Sequence, residues 1–213
     1  SPRLVLVYHK ERYVVKAMYS ESFQDASFFQ RFSTASTRNS NPDLIPERLK
    51  NYELSGLVKL AKDLSIDLTG YYADYRNVVN EVDDPNDSGT KTWYENTGKS
   101  VITGLQSSLV YKYKKVNYWI NYTLTKPLNV DLDDDPDYDG ASEQRISDIP
   151  SHSFNTGVNY RLFKHWNINL RANFVGERES GNEASGSFNV QKIFPSYYTL
   201  HGYIKYSYKN FDA

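Results

Sequence analysis

The chain has 213 residues, a mass of 24.6 kDa, a formal net charge of −1 and a pI near 6.4. Its Lys and Arg residues are dispersed, which gives no reason to expect a nucleic-acid partner, and the absence of Cys excludes a disulfide scaffold and thiolate metal or redox sites. Hydrophobic residues make up only 39%, yet there are 19 Tyr, 10 Phe and 3 Trp. A chain this polar has difficulty filling a dry core, and no run reaches the roughly 18 apolar residues of a membrane helix.

Taken in order, the pattern reads as strands at about 3–8, 13–22, 49–60, 64–75, 101–113, 117–125, 152–162, 166–176 and 197–208. The eighth is the clearest. Trp166, Ile168, Leu170, Ala172 and Phe174 alternate with Asn167, Asn169, Arg171 and Asn173, giving one apolar face and one wholly polar face. The fourth alternates Leu64, Ile66, Leu68, Gly70 and Tyr72 with Ser65, Asp67, Thr69 and Tyr71. The sixth alternates Tyr118, Ile120, Tyr122 and Leu124 with Trp119, Asn121 and Thr123. Strands of about 9–11 residues suffice to cross a bilayer. Mid-strand Asn and Arg belong on a watered lumen, because facing lipid would cost an Arg about 2–4 kcal/mol at the midplane.

The connections alternate in length. Short turns fall at 9–12, 61–63, 114–116 and 163–165, and long polar loops at 21–48, 77–99, 126–151 and 177–196. Up-and-down strands produce this alternation when one rim carries tight turns and the other long external loops. A Greek-key sandwich would mix the lengths. Tyr71, Tyr72, Tyr75, Tyr111, Tyr113, Tyr206 and Tyr208 mark strand ends, while Trp166 and Tyr118 follow short turns, as membrane girdles require. The fold class expected is all-β: an antiparallel up-and-down meander of about nine strands, a partial segment of a transmembrane β-barrel.

Four segments in order carry a family likeness. Asn41-Pro42-Asp43-Leu44-Ile45-Pro46-Glu47 followed by Tyr52-Glu53-Leu54-Ser55-Gly56 resembles the loop-to-strand entry of TonB-dependent outer-membrane receptors. Tyr19 to Ser27 resembles the preceding strand exit, with Asp25-Ala26-Ser27 in place of the commoner Ala-Pro-Ser. Tyr94-Glu95-Asn96-Thr97-Gly98 with Gly104-Leu105-Gln106 is similar to a later motif, Gln106 standing where Glu is more usual. Asp148-Ile149-Pro150-Ser151-His152-Ser153-Phe154 fits a loop return. The loop motif containing Pro42 and Pro46 reads as architectural, with the prolines stiffening extended backbone.

The resemblance implies a barrel of about 22 strands around a separate plug. Residues 1–213 would be a late barrel segment, without the plug and the final strands, and with no signal peptide at Ser1-Pro2-Arg3-Leu4. It further implies the outer membrane of a Gram-negative bacterium and uptake of a scarce nutrient such as a siderophore, cobalamin or glycan. The partners expected are outer-membrane lipid, TonB acting through the plug, and an unidentified small-molecule or glycan ligand. Trp93 and Tyr94 read first as membrane-rim aromatics and second as a ligand-stacking pair. Two other readings stand beside this one: a soluble carbohydrate-binding β-sandwich, and a small outer-membrane barrel enzyme.

No catalytic, cofactor-binding or metal residues are assigned, and no cofactor is expected. His9, His152, His165 and His201 lie on separate strands or turns without metal-ligand spacing, and neither a nucleophile elbow nor a phosphate-binding loop occurs. Asp135-Pro136-Asp137-Tyr138-Asp139-Gly140 matches the first half of a calcium loop, but position twelve, which needs a bidentate Glu, is Ile146. A hydrated acidic loop is the competing reading. It predicts a calorimetric titration with no calcium uptake below millimolar concentration.

Overall fold

A computed structural model describes residues 1–87, 91–129, 146, 148–179, 193–208 and 211–212. Its strands are β1 (Arg3–Lys10), β2 (Tyr13–Gln24), β3 (Glu47–Ala61), β4 (Leu64–Asp83), β5 (Thr92–Tyr113), β6 (Val116–Asn129), β7 (His152–Phe163), β8 (Trp166–Val175), β9 (Arg178–Glu179), β10 (Ile193–Phe194), β11 (Tyr197–Tyr208) and β12 (Phe211–Asp212). One helix, α1 (Phe28–Phe32), lies between β2 and β3. The main sheet runs in sequence order from β1 to β8, then β11 and β12, every pair antiparallel, while β9 and β10 form a small separate pair. Each of the nine long strands sits beside the next, so the sheet is an unclosed meander with β1 and β12 at its edges.

The short connections are two-residue turns at Glu11–Arg12, Lys62–Asp63, Lys114–Lys115 and Lys164–His165. Glu11 (φ 43°) and Lys114 (φ 49°) occupy the first turn position in the left-handed region. Primed hairpin turns use that conformation because it matches the right-handed twist of the strands.

The register assembles the period-two faces into continuous rows. On one face, Val15, Gly56, Leu68, Ser107, Tyr122, Phe154, Phe174 and Tyr198 stand opposite one another across eight strands. Two rows along on the same face run Leu64, Tyr111, Tyr118, Val158, Leu170 and Gly202. On the other face the corresponding row is Asp67, Ser108, Asn121, Asn155, Asn173, Thr199. Its amides are knit sideways: Asn121 Nδ2 donates to Asn155 Oδ1 at 2.9 Å and Asn173 Nδ2 to Thr199 Oγ1 at 3.2 Å.

This arrangement excludes the soluble sandwich. Among the described residues only Leu44, Ala73 and Pro127 are buried apolar side chains, while Leu68 (48% exposed), Leu170 (53%) and Leu200 (71%) lie open. Among the described residues no second sheet covers the apolar face, so it needs an apolar solvent.

The aromatic belts sit at its two ends. Tyr19, Tyr52 and Tyr72 form one, with ring centroids 5.0 and 6.2 Å apart. Tyr111, Tyr113, Trp166 and Tyr206 form the other. From Leu64 to Tyr72 is about 26 Å along the strand, reduced to about 20 Å by a tilt of ~40°, near the ~25 Å apolar band of such barrels. Two expected girdle residues lie elsewhere. Tyr71 and Tyr75 have the opposite parity to Tyr72 and fall on the polar face, where the Tyr71 hydroxyl lies 3.1 Å from Thr125 Oγ1. Adjacent residues on a strand cannot share a face.

The expected loop at 77–99 is mostly strand. β4 and β5 stay paired out to Asp83 and Thr92, across bulges near Val78, with Asn77 at φ 57°. Beyond the apolar band both faces meet water, so the alternation that marks a half-buried strand disappears even though the ladder continues. The one-sided face yields a stability prediction. Leu68→Arg, in the full receptor refolded into lipid vesicles, lowers its unfolding free energy by about 2–4 kcal/mol, whereas Thr69→Arg costs less than about 1 kcal/mol, both read by denaturant titration.

Candidate functional site

The best-organised polar assembly lies at the long-loop rim, where the segment joining β2 to β3 folds against the extended β4–β5 hairpin. It starts with α1. Ser27 caps the helix in a reciprocal box: its backbone N–H donates to Gln30 Oε1 at 2.8 Å, and Gln30 N–H donates to Ser27 Oγ at 3.2 Å. Arg31 then ties the loop to itself, donating to Asp25 Oδ1 at 2.5 Å and to the Pro42 carbonyl at 3.0 Å.

The two motif segments meet here. Asn41, only 9% exposed, donates to the Tyr94 carbonyl at 2.8 Å. Asn96 and Ile45 bond reciprocally: Ile45 N–H donates to Asn96 Oδ1, and Asn96 Nδ2 to the Ile45 carbonyl, both at 2.9 Å. Glu47 Oε1 accepts from Val79 N–H at 2.8 Å, beside the bulge, and Leu44 is buried at 3% exposure. Asn41, Leu44, Glu47 and Asn96 therefore do structural work, as expected of an architectural motif. Gly98 is required at the same place, because a Cβ there would lie 2.7 Å from Val78 Cβ.

Above this lies a charged clasp. Arg38 donates through Nε (3.0 Å) and Nη2 (2.6 Å) to Glu81 Oε1, which also accepts from Thr92 Oγ1 at 2.6 Å. The guanidinium lies 5.0 Å from the Tyr94 ring centroid and 5.4 Å from that of Phe29. Asn39 Nδ2 donates to Asp84 Oδ2 at 2.7 Å, and Lys91 Nζ donates to Asn39 Oδ1 at 3.2 Å. Backbone bonds follow the same seam, Asn39 N–H to the Thr92 carbonyl (2.9 Å) and Thr92 N–H to the Thr37 carbonyl (3.0 Å). The clasp ties the loop to the hairpin while Phe28 and Phe32, tilted against each other with ring centroids 5.0 Å apart, stay 79% and 49% exposed.

Trp93 and Tyr94 do not sit at the membrane rim. Their register partners Val82 and Glu81 stand about nine residues beyond Tyr72, on the order of 30 Å along the strand. Tyr94 is a platform for Arg38, and Trp93 is half-buried with its Nε1 lacking a hydrogen-bond partner. The four histidines stay apart: His152 Nδ1 lies 2.8 Å from the Tyr122 hydroxyl, and His165 Nδ1 donates to the Ser207 carbonyl at 2.8 Å. His201 is opposite Arg171 and His9 opposite Val14. Among the described residues no group of three or more His, Cys, Asp or Glu side chains is placed to hold a metal. The acidic Asp135–Asp137–Asp139 motif lies outside the described residues.

At the opposite rim the polar face carries a groove of about 640 Å³, lined by Lys112, Asn117, Asn159, Arg161, Asn167 and Lys205 among others. Asn117 and Asn159 each keep a buried Oδ1 without a hydrogen-bond partner.

A sequence model of the family described as TonB dependent receptor-like, beta-barrel, matches residues 1–213. The chain belongs to this family. The family is one of receptors and transporters. Solved structures share the fold. The siderophore receptor PirA of Acinetobacter baumannii aligns with 98% of the chain and 35% of its own length, at 17% identity and a TM-score of 0.75. A ferric enterobactin receptor (PfeA) variant of Pseudomonas aeruginosa in complex with enterobactin gives 98%, 33%, 17% and 0.76. The ferric-catecholate import receptor Fiu of E. coli K12 gives 98%, 28%, 19% and 0.72. No curated protein sequence matches. The chain spans about a third of the length of these receptors.

The clasp has a pH signature. The Thr92 hydroxyl, then Arg38, holds the Glu81 carboxyl below the usual range, and the Asn39 amide, then the Asn86 backbone N–H, does the same for Asp84. Because both folded values are depressed, their stabilisation is present above the ordinary carboxylate range and is lost as pH falls through the lowered values. Amide exchange at Asn39 and Thr92, corrected for intrinsic rate, is expected to stay flat from about pH 5 to 8 and to rise below about pH 4. Arg38→Ala is expected to raise it on the order of tenfold at neutral pH.

Proposed function

We propose that this chain is part of the barrel wall of an outer-membrane receptor that takes up a scarce nutrient by TonB-coupled active transport. The observation that carries the reading is the mostly apolar face, uncovered by any other described residues and bounded by two aromatic belts, backed by a face of amides and guanidinium groups. Hydrocarbon solvates the first and a watered lumen the second. Family membership supplies the coupling to TonB.

The reading includes a plug domain in the complete polypeptide, filling the lumen. The basic groove supports it. Lys112, Arg161 and Lys205 offer positive charge, and the Asn117 and Asn159 amides present buried oxygens that donors on a plug segment would satisfy. The ligand class proposed is a ferric siderophore, since the similar structures include a siderophore receptor and receptors named for ferric enterobactin and ferric catecholates. In this role the loop clasp fixes the external rim against which a bulky ligand is captured.

The test is uptake of radioactive iron as ferric siderophores by iron-starved cells expressing the complete receptor. Expected is accumulation that requires both TonB and the proton-motive force, with Arg38→Ala plus Glu81→Ala lowering uptake about tenfold at limiting ligand by loosening the capture rim. Uptake that persists without TonB would defeat the coupled mechanism. A receptor that moves no siderophore but imports cobalamin or a glycan would correct the ligand class alone.

A further inference from the structure

The polar face is not uniform in charge. From β6 to β11 its positions run 117–125, 153–161, 167–175 and 197–207 in steps of two. The charged or imidazole side chains there are Arg161, Arg171, His201 and Lys205, and no carboxylate occurs. The same face of β5, between 100 and 112, adds Lys112 alone, opposite Asn117. The strip ends at β12, where Asp212 stands opposite Ser207. Elsewhere the face is mixed, with Lys16 on β2, Glu53 and Lys59 on β3, and Asp67 on β4. A single sign is therefore a property of this strip and not of a watered wall in general.

The charges are also graded along the wall. Register sets them in rows two residues, or about 7 Å, apart along the strands. Arg171 and His201 face each other in the uppermost row, and Arg171 is oriented by Nε donating to Asn169 Oδ1 at 3.0 Å. One row nearer the short turns, Lys112, Asn117, Asn159 and Asn169 stand in line. The next row holds Arg161 and Lys205, both opposite Asn167. Beyond it the turns add Lys114, Lys115 and Lys164. The groove of about 640 Å³ at this rim takes in these three lysines with Lys112, Arg161 and Lys205, and no carboxylate lines it. Lys112, Arg161, Arg171 and Lys205 are all exposed. Walls of low dielectric concentrate a field of one sign within a cleft instead of dispersing it.

We infer that this strip draws an anionic cargo from mid-lumen to the short-turn rim after it leaves the capture loops, making the receptor selective for a negatively charged ferric chelate over a neutral one. The inference rests on the transport reading above and deepens it. Three properties select this occupant. The cations stand on the watered face, which lipid does not reach. They multiply toward the rim opposite the long loops, which is the direction of import under that reading. The groove in which they culminate has the size of a small-molecule site. Carboxylate or catecholate oxygens on such a chelate accept from Lys and Arg, and Arg161 and Arg171 can each bond two of them at once. A plug segment seated in the groove covers its lower end at rest, and the cargo meets the strip once that segment has moved.

The experiment measures saturated uptake of radioactive iron by cells expressing the complete receptor. Iron is offered either as a ferric tris-catecholate, a trianion, or as a neutral ferric tris-hydroxamate of similar size. Expected is faster uptake of the trianion by the wild type, reduced about tenfold in the triple variant Lys112→Gln, Arg161→Gln, Arg171→Gln. The same variant should carry the neutral chelate at its wild-type rate and bind the trianion at the surface of de-energised cells as tightly as before. Lys112→Arg with Arg161→Lys and Arg171→Lys should retain most of the uptake, and Lys62→Gln, on another short turn, should leave it unchanged. If the triple variant does not reach the outer membrane, Arg161→Gln alone is read, with a loss of about twofold expected for the trianion only. Wild-type uptake of the neutral chelate at the rate of the trianion, or an equal loss for both in the Gln variant, overturns the inference. So does an equal loss in the charge-conserving variant. Import of cobalamin or a neutral glycan in place of any ferric chelate overturns it as well, and TonB dependence of that import leaves the transport reading standing. Charge-selective uptake that ignores TonB does the reverse: the strip keeps its role and the coupled mechanism fails.

Discussion

In hydrocarbon no water is present to satisfy a backbone N–H or C=O, so every strand that crosses must be bonded to a neighbour on both sides. That constraint organises the molecule. It explains why connections at one rim shrink to two residues, since nothing is gained by leaving the neighbour. It also explains why nine long strands appear in strict order. Because side chains then alternate by two, the same ladder that satisfies the backbone sorts lipid from lumen without a packed core. Leu44, at the loop rim, Ala73 and Pro127 are the buried apolar side chains among the described residues.

Stability in such a wall comes from the ladder and from transfer of the outward face into lipid. The polar face contributes cross-strand amide and hydroxyl bonds, Asn121 to Asn155 and Asn173 to Thr199, and along β8 Arg171 Nε donates to Asn169 Oδ1 at 3.0 Å. Bulk is placed where a neighbour makes room for it. The Trp119 indole lies over Gly157, where a Cβ would come within 2.6 Å of the ring, and Tyr71 lies over Gly104 in the same manner. The aqueous rim works differently. There the loop is held by charge and amide pairs spanning 43 to 53 residues of sequence, so it has order without burial of much apolar area.

Much of the wall was legible because its physics is local. Alternation between Trp166 and Phe174 is a property of nine consecutive residues, and two-residue turns betray themselves by how soon the next alternation starts. The architectural role of the Asn41–Glu47 motif was also readable, since Pro42 and Pro46 restrict their own backbone. What escaped was whatever lacks a one-sided environment. Residues 77–83 and 92–99 form a paired ladder in water, with Asn80, Glu81, Glu95 and Asn96 interrupting any apolar period. Trp93 and Tyr94, read as rim residues from their aromatic character, belong to that wet hairpin. Tyr71 and Tyr75 have the side chains of a belt and stand at a strand end, but parity sends them inward.

The sequence by itself determined the faces: which residues meet lipid, which meet water, and where the chain must turn, because period two and turn chemistry act over a few bonds. Tertiary structure alone decided the partnerships. Nothing near Arg38 announces Glu81, nothing near Asn41 announces Tyr94, and Lys112, Arg161 and Arg171 become one cationic strip only when their strands settle into register. Such pairings depend on distances through space, which the order of residues along a chain does not contain.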